Sequence, residues 1–105
     1  MVARRKGVNI FARTSTWSGS PQELQKWADN ATDNVKGFVE ALPGNAGVVF
    51  LIDRDTGTAL TLTLCDTEQA AQATDRFAEQ SRAATVAATG TELVARGSYE
   101  VVART

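Results

Sequence analysis

The chain has 105 residues, with 11 basic against 12 acidic side chains for a net charge of −1, 43% hydrophobic residues, one cysteine and no histidine. That is the size of one domain with one core, and the near-zero charge offers no electrostatic footprint for a nucleic-acid partner. With Cys65 alone and no histidine, an internal disulfide, a zinc finger, a His-ligated metal or haem, a Ser-His-Asp triad and a Cys-His pair are all excluded.

Residues 1–7 read as a flexible basic lead ahead of a single domain over residues 8–105. Asn9 and Arg13 interrupt the stretch after Arg4, Arg5 and Lys6 before an apolar run develops, which argues against a signal peptide. The apolar run from Val48 to Ile52 is too short to span a bilayer. The expectation is a cytoplasmic protein with no membrane partner.

From Val8 to Trp17 the pattern predicts a strand, with Asn9, Phe11, Arg13 and Ser15 on one face and Ile10, Ala12 and Thr14 on the other. Ser20, Pro21 and Glu23 spell a capping box with proline in the first helical turn. The helix that follows carries the stripe Leu24, Trp27, Ala28, Ala31, Val35, Phe38, Val39 and Leu42, and Pro43-Gly44-Asn45 ends it. Gly47 to Asp53 is a second strand, apolar on both faces and therefore expected at the centre of a sheet. A hairpin loop over Asp53–Gly57 leads to a third strand, Thr58 to Cys65, in which Leu60, Leu62 and Leu64 alternate with Ala59, Thr61, Thr63 and Cys65. Asp66 is the expected N-cap of a second helix, with Gln69 three residues on. Its inner stripe reads Ala70, Ala73, Thr74, Phe77, Ala78, Ser81, Ala84 and Ala88, and Gly90 closes it. The last strand runs from Glu92 to Arg104, with Leu93, Ala95, Gly97, Tyr99 and Val101 on one face and an irregularity expected near Gly97-Ser98.

The order β-α-β-β-α-β predicts an α+β, ferredoxin-like antiparallel sheet with two helices on one face. Because the strands are apolar on both sides, the uncovered face requires a partner, and a second copy of the chain supplies one by two-fold symmetry. In the strand beginning Val8-Asn9-Ile10-Phe11-Ala12-Arg13, the long helix after Ser20-Pro21, the Val48–Ile52 strand, the hairpin, the helix entered from Asp66-Thr67-Glu68-Gln69 and the long last strand, the chain resembles the dimeric α/β-barrel superfamily. The nearest layout is that of the antibiotic biosynthesis monooxygenase-like small proteins. The resemblance implies a homodimer whose two sheets form a barrel, with a pocket between sheet and helices in each subunit. Members of that group include cofactor-free oxygenases acting on polycyclic aromatic substrates, haem-degrading enzymes and many proteins with no assigned reaction. The haem-degrading relatives need an iron-ligating histidine on the second helix, and this chain has none. Asn9 matches the position at which enzymatic relatives place a substrate-side asparagine.

Three residues are candidates for catalysis. Asn9 and Arg13 form a polar pair in an otherwise apolar pocket, the asparagine to hydrogen-bond a ligand oxygen and the arginine to stabilise an enolate or phenolate; the alternative is a pair of solvated strand side chains. Tyr99 is a proton donor or orienting group, though with a pKa near 10 it is a poor base, or else an interface tyrosine. Phe11, Trp17, Trp27, Phe38 and Phe50 supply a ligand-binding wall, although the phase of Trp27 with Leu24 and Ala31 favours a core anchor. Cys65 stands before a helix, where a thiolate is favoured, or is a small buried hydrophobe. Asp53 and Asp55 read as solvated turn residues rather than metal ligands. No metal and no cofactor is expected. The functional expectation is a cofactor-independent, monooxygenase-like enzyme acting on a small apolar oxygenated molecule, aromatic ones included. The alternative is a non-catalytic ligand-binding or structural homodimer of the same fold. The enzyme reading requires a cavity of roughly 300 Å³ reached by Asn9 or Arg13.

Overall fold

A computed structural model of the chain describes residues 10–104, so the basic lead over residues 1–7 and Asn9 lie outside the described residues. The described residues form β1 (Ile10–Ser18), α1 (Pro21–Asn30), a π turn (Ala31–Val35), α2 (Lys36–Glu40), β2 (Asn45–Asp53), β3 (Thr58–Cys65), α3 (Glu68–Thr89) and β4 (Glu92–Val101). The strands pair antiparallel in the order β2-β3-β1-β4, with both helical segments on one face. This is the ferredoxin-like arrangement expected from the sequence. No helix among the described residues is long and apolar enough to cross a membrane.

The capping box forms as spelled: the Ser20 hydroxyl accepts the Glu23 N–H at 3.2 Å and the Glu23 carboxylate accepts the Ser20 N–H at 2.8 Å. The long first helix is not uniform, however. At its middle the Lys36 N–H reaches back five residues to the Ala31 carbonyl, and side chains compete for the backbone there. Thr32 Oγ1 donates to the Ala28 carbonyl at 3.0 Å, and Asn34 donates to Asn30 at 2.8 Å. A π turn adds a residue to the turn and so rotates everything after it. Val39 is buried, and Phe38, expected inside, is 47% exposed.

Four other expectations are corrected. β2 lies at an edge of the sheet, not at its centre, which β3 and β1 occupy. Its two apolar faces reflect helices on one side and an open sheet face on the other, where Val49 and Leu51 remain nearly half exposed. The N-cap of α3 is Thr67, whose hydroxyl accepts the Ala70 N–H at 2.9 Å, rather than Asp66. The buried face of α3 is Ala71, Thr74, Arg82, Thr85 and Thr89, rotated away from the alanine–phenylalanine stripe, so that Phe77 is 49% exposed. In the last strand, which ends at Val101 rather than Arg104, the irregularity falls where Thr16 and Trp17 face Ala95 and Leu93. That shift turns Leu93 toward the helices and leaves Ala95, Gly97, Tyr99 and Val101 on the open face.

The core sits at one end of the layer between sheet and helices. Trp17, Leu24, Trp27 and Ala59 are buried there, with Phe50, Ile52 and Leu93 packed against them. Trp27 meets Phe50 edge to face at 6.0 Å. The turn after the first helical segment needs a glycine: Gly44 has φ 76°, and a side chain there would collide with Ala70 of α3.

Candidate functional site

The registers sort the strand residues onto two faces. Toward the helices point Arg13, Ser15 and Trp17 of β1, Ala59, Thr61 and Thr63 of β3, and Phe50 of β2. Away from them point Ala12, Thr14, Leu60, Leu62, Leu64, Val49 and Leu51. The covered face is therefore polar at its centre, and the leucine-rich face is the open one. A threonine-rich sheet surface beneath two helices cannot be packed as an oil core. Instead it floors a cavity of about 60 Å³ between the sheet and the helices.

The aromatic wall of this cavity is Trp17, Trp27, Phe38 and Phe50. The Trp17 indole N–H donates to Thr61 Oγ1 at 3.3 Å, which fixes its ring against the floor. Polar groups converge from the other side. Arg82 of α3 also lines the cavity and is only 8% exposed. Its Nε donates to Ser15 Oγ at 3.2 Å and its Nη2 to the Asp75 carboxylate at 2.8 Å. Its Nη1 is buried and has no hydrogen-bond partner among the described residues. A buried guanidinium N–H without an acceptor is costly, and an anionic oxygen is the kind of acceptor that would satisfy it.

Asp75 holds Arg82 in this pose. The Arg82 hydrogen bond and charge, helped by the charges of Arg13 and Arg96, keep the Asp75 carboxyl below its ordinary pKa against a smaller opposing effect of burial. It is thus a carboxylate at neutral pH and a poor base. Arg13, expected in the pocket, does line it; its Nε donates to the Ala71 carbonyl at 3.2 Å and its Nη1 to Ser98 Oγ, so it ties β1 to α3 and β4.

Of the other residues singled out from the sequence, Trp17, Trp27, Phe38 and Phe50 come together in the cavity wall. Phe11 is on the same strand face, paired with Cys65, but lies outside the lining. Tyr99 is on the opposite face, 59% exposed, where its ring covers Gly97 so closely that a side chain there would clash with it. Asn9 lies outside the described residues. The Cys65 thiol is fully buried against Thr74, and burial pushes its pKa up, which leaves a protonated small hydrophobe and not a nucleophile. Asp53 accepts the N–H groups of Asp55 and Thr56 in the hairpin turn, as a turn residue does. No metal-binding cluster is found among the described residues.

Arg82, Asp75 and Ser15 were not anticipated. The stripe Ala71, Thr74, Ala78, Arg82, Thr85, Thr89 has helical spacing and is legible in the sequence once polar residues are admitted to an inner face.

The sequence matches no protein-family profile and no curated protein. Solved structures do match the fold. The monooxygenase ActVA-Orf6 of Streptomyces coelicolor, in complex with the ligand nanaomycin D, superposes with a TM-score of 0.67 at 17% identity, over 96% of this chain and 92% of that one. An antibiotic-biosynthesis-monooxygenase-type protein of Caulobacter crescentus CB15 gives 0.61 at 18% identity, over 94% and 93% of the two chains. SnoaB, a cofactor-independent oxygenase from Streptomyces nogalater, gives 0.56 at 15% identity, over 92% and 95%. At these identities the likeness establishes the fold.

Proposed function

We propose that the protein is a cofactor-independent oxygenase of a small, apolar molecule bearing an enol or phenol oxygen, working as a homodimer. The observation that carries this reading is the unpartnered, buried Nη1 of Arg82 in the wall of an aromatic and threonine-lined cavity. A guanidinium in such a site favours the ionised form of an enol or phenol. That anion is electron-rich enough to reduce dioxygen directly. One oxygen atom then enters the ring as a carbonyl in place of two hydrogens, and the other leaves as water with those hydrogens. The carboxylate in the lining, Asp75, is too well stabilised to act as a strong base. The substrate must therefore ionise readily, with Arg82 rather than a general base supplying the assistance. The fold shared with ActVA-Orf6 and SnoaB, named as a monooxygenase and an oxygenase, agrees with this chemistry.

The cavity, about 60 Å³, is smaller than the roughly 300 Å³ a ligand pocket ordinarily needs. This favours a second reading, a non-catalytic binder of a small organic anion. Incubation with a dihydroxynaphthalene under isotopically labelled dioxygen separates the two. Formation of the hydroxynaphthoquinone with one labelled oxygen, lost in Arg82→Met, supports the oxygenase. Binding without oxygen uptake across a panel of such phenols supports the binder.

The dimer rests on the open sheet face. Val49 and Leu51 of β2 are each nearly half exposed beside the leucines of β3, an apolar surface that a second sheet would cover. A cytoplasmic location accords with a lone, buried free thiol.

A further inference from the structure

The Arg82 donor is buried: Nη1 is out of contact with solvent although the cavity that Arg82 lines is partly open. An acceptor reaches it only if part of the wall moves. The floor is a hydrogen-bonded sheet, and the end nearest α1 is the packed core. The roof differs along its length. α1 packs closely on α3, where Asn30 Nδ2 donates to Thr85 Oγ1 at 3.5 Å, whereas α2, beyond the π turn, stands off from α3. Across that gap the Phe38 and Phe77 rings meet edge to face at 6.3 Å, each about half exposed.

Three spaces adjoin this ring pair. Phe38 lines the cavity. Both rings line a groove of about 480 Å³ between the helices, which shares Asn30, Val35, Ser81 and Thr85 with the cavity. Phe77 also lines a second groove of about 350 Å³, bounded by Leu42 and the first turns of α3. The cavity alone is too small for a ring-bearing ligand, whereas the cavity joined to either groove falls in the ordinary range of ligand sites.

We propose that Phe38 and Phe77 form the gate and set the size selectivity of the site. The occupant is an organic anion with a flat apolar body, its oxygen on Arg82 and its body lying between the two rings in the inter-helix groove. This rests on the reading of Arg82 as the anion anchor. The pair is suited to the role because a half-exposed ring held by a single aromatic contact can change rotamer without unpacking the core, and because the π turn is what carries Phe38 out of the buried stripe.

The test uses benzoate, naphthoate and anthracene carboxylate as probes, with association rates from stopped-flow fluorescence and affinities from calorimetry. In Phe38→Ala and in Phe77→Ala, naphthoate is expected to associate about tenfold faster than in the wild type, and affinity to shift toward the larger acids; Phe38→Trp is expected to slow association by a similar factor. Association rates and size preference within about twofold of wild type in all three variants would overturn the gate. If Arg82→Met abolishes binding in that case, the anchor reading stands without it. A gating effect that persists in Arg82→Met would instead retain the gate and remove the anchor. Absence of saturable binding in the wild type and in both alanine variants would contradict both.

Discussion

The two faces of this sheet invert the usual division of labour. The face under the helices carries Arg13, Ser15, Thr61 and Thr63 at its centre, and the face without helices carries Leu60, Leu62, Leu64, Val49 and Leu51. In a monomer built only for stability the leucines would lie under the helices. The inversion separates two tasks: the covered face gives up apolar packing for a cavity with polar groups in its wall, and the open face keeps the apolar area that the proposed dimer would use. Trp17, Leu24, Trp27 and Ala59 hold the layers together at one end, which leaves the rest of the covered face free for the cavity.

The contrast can be broken from either side. The largest effect is expected on the open face: Leu62→Asp buries a charge in the proposed sheet–sheet contact, so the sedimenting species should fall from twice 11.2 kDa to 11.2 kDa. A wild-type protein that sediments at 11.2 kDa at micromolar concentration would already remove the dimer. On the covered face, Trp27→Ala empties the core end and should cost about 3–5 kcal/mol in urea unfolding. A loss below about 1 kcal/mol would mean that the core lies elsewhere. Thr61→Val leaves the Trp17 indole N–H without its acceptor, for an expected loss of about 1 kcal/mol and no change in assembly.

The smallest of these effects concerns acid. The Asp75 carboxyl is held below its ordinary pKa chiefly by Arg82, so its folded pKa lies below the unfolded value of about 3.9. Its contribution to stability is complete above that value and is lost as the pH falls through the folded pKa. Asp75→Asn should therefore be slightly less stable than wild type near neutrality, the effect being screened because Asp75 is 38% exposed, and the difference should shrink on acidification and vanish once the pH is below the folded pKa. A difference that grows on acidification would contradict the assignment.

Much of the architecture was legible in the chain. The capping box at Ser20 and Glu23, the hairpin ending in Gly57, the alternation of Thr58–Cys65 and the left-handed Gly90 are local features, and the structure carries each of them. What escaped was decided by distant contacts. Periodicity put Phe77 inside α3 and overlooked Arg82, because the Ser15 partner that makes a buried arginine tolerable lies 67 residues away. The π turn coincides with the Thr32 hydroxyl bonding the Ala28 carbonyl and Asn34 bonding the Asn30 side chain, local polar contacts that an apolar stripe does not encode. Tyr99 was assigned by residue type, and only the strand register placed its ring on the open face. Of the cavity lining, Trp17, Trp27, Phe38, Phe50 and Arg13 were singled out from the sequence, whereas Arg82 was not.

The central claim is that the covered face holds an anion site built on Arg82. Calorimetric titration of naphthoate into the wild type and into Arg82→Met tests it most directly. The account predicts saturable one-site binding that weakens at least about tenfold in the variant, while the variant still unfolds in one cooperative transition, at somewhat lower stability because its Ser15 and Asp75 hydrogen bonds are lost. Equal affinity in the two proteins would contradict it.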